Sequence, residues 1–144
     1  MSKKLVVGVL YFLAAIATAT SAQAGDPRGK WLTESKKAHV EVFDCNGKLC
    51  GKVVWLKEPL DENGKPKLDK ENEDEKLKSR PIMGHHMISG MEPDGENEWD
   101  GGIIYNAEDG KTYSSEMTLV KDDTLKVAGC VLFFCKSQTW TRVN

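Results

Sequence analysis

Helical periodicity is nearly absent from this 144-residue sequence, which leaves strands as its only regular element. An excess of basic charge is missing too: 20 Lys and Arg stand against 22 Asp and Glu, with no basic cluster, so the electrostatic footprint of a nucleic-acid binder is lacking. Catalytic signatures are equally scarce. There is no Gly-x-Ser-x-Gly, His-Glu-x-x-His or phosphate-loop pattern, and His39 stands isolated, so the expectation is a protein that is not an enzyme. Nor is there an apolar run of the roughly 20 residues that a membrane-spanning helix needs.

The uncharged run Leu5 to Thr20 follows a Lys3-Lys4 head and precedes the small residues Ala22 and Ala24. That order is the pattern of an export signal over residues 1–24, with cleavage after Ala24. It predicts a periplasmic or secreted protein. No cysteine follows the cleavage point to carry a lipid, so no stable membrane insertion is expected once the signal is gone. Residues 25–144 form one domain by length, able to bury about two thirds of their unfolded surface.

All four cysteines lie in that domain, as Cys45-x4-Cys50 and Cys130-x4-Cys135. An even count in an exported chain reads as disulfides. Loop entropy favours a long Cys45–Cys135 link, at about 4.6 kcal/mol against about 2 for a short ring. The geometry of facing strand residues favours the two local pairs, 45–50 and 130–135. A four-cysteine zinc site is the third possibility, with spacing at the upper end of the usual two to four residues and an exported setting that oxidises thiols.

Strand-like segments separated by turns cover most of the domain: 29–34, 37–44, 51–56, 81–89, 101–105, 112–120, 124–131 and 136–143. Asn46-Gly47 marks a tight hairpin. One segment interrupts them. Residues 57–80 hold seven basic and eight acidic side chains, which reads as a solvated loop excursion. Its "DKENEDEK" lacks the central glycine of a calcium loop. Eight short antiparallel strands must stack or close to hide their edges. Closure is favoured by Gly29-x-Trp31 near the start and Trp140-x-Arg142 near the end, since adjacent terminal strands let Arg142 cap the indole of Trp31 for about 0.5–2 kcal/mol.

Gly-x-Trp with a terminal arginine resembles the signature of lipocalins and their calycin relatives, eight-stranded up-and-down barrels that usually hold small apolar ligands. The chain more specifically resembles the bacterial domain-of-unknown-function 2147 family, through "GKW" at 29–31, "LCGKVVWL" at 49–56, "SRPIMG" at 79–84, "GGIIYNAEDGKTY" at 101–113 and "SQTWTRV" at 137–143. The resemblance implies an exported, all-β, barrel-like domain and brings no activity or cofactor with it. Two departures stand out: Ala107 where the family tends to carry proline, and His85, His86 and Met87 where it tends to carry aliphatic residues.

Those departures fall in "PIMGHHMISGM", 81–91. On a regular strand Met83, His85 and Met87 share one side, a sulfur–nitrogen–sulfur row suited to copper, with His86 opposite and Met91 within reach past a turn. The same row serves equally as pocket lining, methionine being an adaptable apolar filler. The expected function is capture of a small apolar or amphipathic molecule, with no resident cofactor. Its candidate lining is Trp55, Met83, His85, Met87, Tyr105, Tyr113 and Met117, with Arg80 for a charged head group. Soft-metal binding through residues 83–91, and a structural or interaction role in the cell envelope, are the alternatives. A solidly packed barrel would favour the last.

Overall fold

A computed structural model describes residues 25–144; the expected export signal at 1–24 lies outside the described residues. Eight antiparallel strands follow one another around a closed barrel: β1 (Gly29–Leu32), β2 (Ala38–Cys45), β3 (Lys48–Leu56), β4 (His86–Pro93), β5 (Glu98–Asn106), β6 (Lys111–Lys121), β7 (Thr124–Val131) and β8 (Phe134–Arg142). β1 closes onto β8 by pairing Trp31 with Arg142 and Leu32 with Thr141. The strand alternation is plainest in β6, where Ser115, Met117 and Leu119 are buried and Glu116 is exposed. Matching residues of the other strands, among them Trp31, Val40, Ile88, Met91, Leu125, Val127 and Trp140, fill the belly of the barrel. Each such side chain removed from water contributes about 1.5–3 kcal/mol.

One end of the barrel is sealed. The Arg142 guanidinium lies 4.2 Å from the centre of the Trp31 ring. Its three nitrogens donate to the carbonyls of Asp122, Arg28 and Asp26, tying the last strand to the β6–β7 turn and to the entering chain. Trp31 Nε1 donates to the Pro27 carbonyl at 2.9 Å. Gly29 belongs to the same arrangement: its φ is 128°, and an added Cβ would sit 2.7 Å from Arg142 Nη1. Glycine two residues before the tryptophan is therefore what lets the arginine close over the ring.

Both cysteine pairs are local, Cys45–Cys50 and Cys130–Cys135. The first staples the β2–β3 hairpin at the sealed end, where Asn46 and Gly47 take φ of 56° and 81°. The second staples the β7–β8 hairpin at the opposite, open end.

Three features depart from the sequence pattern. In β3, His39 faces Trp55 while Val40 faces Val53, so Val54 is an extra residue that shifts everything after it. In β4, Gly51 faces Ile88 and Lys52 faces His86, which makes Met87 the extra residue. The strand expected to begin at Pro81 begins only at His86, because 81–85 fold into a turn through Gly84 N to Val53 O and His85 N to Ile82 O. The third departure is the charged excursion. It folds back on itself through bridges Leu60–Pro66 and Leu68–Pro81, and it buries Asp69 and Asn72. It docks on the β5–β6 turn at Gly110, where an added Cβ would overlap the Glu71 carbonyl.

Candidate functional site

The open end of the barrel is ringed by the start of β4, the end of β5, the start of β6 and the end of β7, with the excursion folded over it. A cleft of about 790 Å3 lies between the excursion and the barrel wall at this end, and its row Ser89, Ile103, Ser114 and Cys130 is on the face opposite the core-facing Ser115. Its walls are Asn72, Glu73, Asp74, Leu77 and Arg80 from the excursion, His85, His86, Met87 and Ser89 around the start of β4, Ile103 and Tyr105 from β5, Gly110, Lys111, Thr112, Tyr113 and Ser114 from the β5–β6 turn and β6, and Cys130 and Val131 from β7.

A buried carboxylate organises this end. Asp69 accepts from Tyr105 Oη at 2.6 Å, from Asn72 Nδ2 at 2.9 Å and from Arg80 Nε at 2.8 Å. Asn72 also donates to Tyr105 Oη at 3.0 Å, which completes the ring. Burial pushes the Asp69 carboxyl upward, but the three donors and the Arg80 charge outweigh it and hold the carboxyl below its ordinary value. Tyr105 moves the other way, raised by burial and by its bond to Asp69. The Arg80 guanidinium packs 5.1 Å from the Tyr105 ring centre. Among the described residues Asp69 takes one of the five guanidinium N–H donors, and Arg80 also lines the cleft.

His85 stands edge-on to the same ring, 5.2 Å between centroids. Its Nε2 is buried with no hydrogen-bond partner among the described residues. Burial first, and then the Arg80 charge, push its pKa below the ordinary imidazole value, with Asp69 opposing, so the ring is neutral at pH 7. The cleft thus joins apolar surface from Met87, Ile103 and Leu77 to a compact polar corner at Arg80, His85 and Tyr105.

Five of the eight expected lining residues meet here: Arg80, His85, Met87, Tyr105 and Tyr113. Three do not. Trp55 is turned outward by the extra residue in β3 and stacks on His39 at 4.4 Å. Met83 is 41% exposed in the turn before β4, outside the cleft lining. Met117 is sealed in the belly of the barrel, 1% exposed. The proposed metal row is likewise not built as an alternating face. His86 stands edge-on to Phe43 away from the core, Met91 is fully buried in the core, and Met83 precedes the strand. Among the described residues, one group of His, Cys, Asp or Glu has metal-ligand spacing, Glu116 with Cys130 and Cys135; both sulfurs are held in the disulfide.

Residues 29–142 match the bacterial family described as "Uncharacterized protein conserved in bacteria (DUF2147)". The chain belongs to that family. No curated protein matches it. A solved structure, "Protein HP1028 from the human pathogen Helicobacter pylori belongs to the lipocalin family", is similar, with a TM-score of 0.71 and 27% identity over 83% of this chain and 84% of that one. The present DUF2147 chain therefore has a lipocalin-like barrel, and its two disulfides fit an oxidising compartment. Asp69 and Asn72 stand in the most charged stretch of the DUF2147 chain, within the segment that fails as a calcium loop, where an acid and an amide read as solvated. The one available signal was an Asp, Asn and Arg in a segment that returns to the sheet.

Proposed function

We propose that this protein is an exported, non-enzymatic binder that takes a small amphipathic molecule into the open-end cleft, reversibly and without a resident cofactor. The observation that carries the reading is the cleft itself. It has about 790 Å3 of space between the excursion and the wall of a lipocalin-like barrel, with apolar surface from Met87, Ile103 and Leu77 beside a polar side that includes Arg80, His85 and Tyr105. Met87, Ile103 and Leu77 supply contact area for an alkyl or ring portion. Arg80 supplies N–H donors for an anionic or carbonyl-bearing head, and His85 Nε2 is a buried polar atom with no partner among the described residues. The Asp69 ring fixes Arg80 and Tyr105 in advance, so little ordering cost remains to be met on binding.

The test is a fluorescence titration with a carboxylated polyene amphiphile, cis-parinaric acid. Saturable one-to-one binding is expected, weakened tenfold or more by Ser114→Trp, which fills the cleft, and by Arg80→Gln. Uptake that does not saturate, or that neither substitution changes, overturns the reading.

A further inference from the structure

The two stapled hairpins share one spacing and differ in what they put at the tip. At the sealed end the four residues between the cysteines are Asn46-Gly47-Lys48-Leu49; at the open end they are Val131-Leu132-Phe133-Phe134. Those four apolar side chains are 55%, 89%, 97% and 83% exposed. Leu132 carries a φ of 52°, a left-handed conformation that bulky residues rarely adopt and that Asn46 supplies at the other end. A polar turn would be easier to build there, so the apolar tip is held against both solvation and backbone preference.

We propose that Val131–Phe134 is a membrane-docking finger that dips reversibly into an anionic bilayer surface. Three observations select a bilayer over a protein partner. The apolar residues are consecutive and occupy both faces of the hairpin, so one flat partner cannot cover them all, whereas immersion covers every side. Their exposed area, taking roughly 150–200 Å2 for each large side chain, is on the order of 500 Å2, short of the ~800 Å2 per partner of a stable protein interface. The strands that carry the tip add cations on its side: Lys136 directly follows the staple and Lys126 precedes it by four residues, with no Asp or Glu from Thr124 to Asn144, while Arg142 belongs to the sealed end. The acidic group nearest the staple is Glu116 on β6, and Glu73 and Asp74 lie on the excursion. Cys130 and Val131 also line the cleft, so docking by the finger would bring the cleft mouth to the lipid surface. The disulfide below the tip holds the four residues as a finger before contact, and β8 extends past the reach of the four-residue β1, so the tip stands free of the barrel wall.

The decisive experiment is co-sedimentation of residues 25–144 with vesicles of phosphatidylethanolamine and phosphatidylglycerol at 3:1, beside vesicles of phosphatidylcholine alone. Partitioning to the anionic vesicles is expected, reduced at least tenfold in a Leu132→Asn, Phe133→Gly double variant that installs the turn of the sealed end. That variant keeps the fold, read as an unchanged thermal midpoint, and keeps cis-parinaric acid binding, so failure of the finger is separable from failure of the cleft. Phe133→Trp should show a blue-shifted emission on the same vesicles. The proposal is overturned if the unaltered protein pellets no more than the double variant, or if that tip change instead converts a lipid-free dimer to a monomer in sedimentation velocity.

Discussion

Asp69 is the residue on which the open end turns. It is 1% exposed and accepts three side-chain hydrogen bonds, so replacing it leaves Tyr105, Asn72 and Arg80 all short of a partner. Breaking a buried ion pair from one side costs about 3–5 kcal/mol, and the partial exposure of Arg80 lowers this toward about 2–3 for Asp69→Asn. Tyr105→Phe removes one donor and should cost about 1–2 kcal/mol, read as the shift of a urea midpoint at unchanged slope. His85 adds a pH dependence of definite sign. Its folded pKa is lowered, so below about 6.5 the unfolded state takes up a proton that the folded state still refuses. Stability is complete above that pH, falls as pH drops toward the folded pKa, and levels off beyond it. Asp69 adds its own loss at lower pH, through and below the ordinary carboxylate range. Urea unfolding at pH 7 and pH 5 should show a smaller loss in His85→Asn than in the unaltered protein; an equal loss would contradict the burial of the ring.

Among the elements, the excursion between β3 and β4 decides whether the cleft has a wall. It is clamped where Gly110, at a φ of 72°, meets the Glu71 backbone. Gly110→Ala puts a Cβ into that contact and should release the excursion while leaving the barrel closed. Limited proteolysis at lysines 65–78 is expected to quicken tenfold or more, with β-sheet circular dichroism unchanged. The strands themselves were largely legible in the sequence, because alternation in β6 and β7, the Asn46-Gly47 turn and the paired cysteine spacing are local signals. What local pattern could not carry was parity across β3 and β4. A single extra residue at Val54 turned Trp55 outward, and another at Met87 broke the expected Met-x-His-x-Met row. The burial of Asp69 was also illegible, since a carboxylate becomes an interior residue only when donors from elsewhere, here Tyr105 and Arg80, converge on it.

The whole molecule is a barrel sealed at one end and open at the other. The seal rests on Arg142, whose three carbonyl contacts join the last strand to the β6–β7 turn and to the first residues of the domain. Arg142→Ala should lower stability by about 2 kcal/mol or more, through lost cation–π and charged hydrogen bonds. Arg142→Lys should recover less than half, since an ammonium cannot reproduce the planar fork. At the other end the cleft, the polar corner and the apolar finger stand together, and the proposed function requires that a small molecule occupies that cleft. Native mass spectrometry of the protein purified without reductant from the cells that make it puts this to the test. A single co-purifying adduct of a few hundred daltons is expected, absent from Ser114→Trp. A bare polypeptide mass at good signal, or an adduct that survives that substitution, would contradict it.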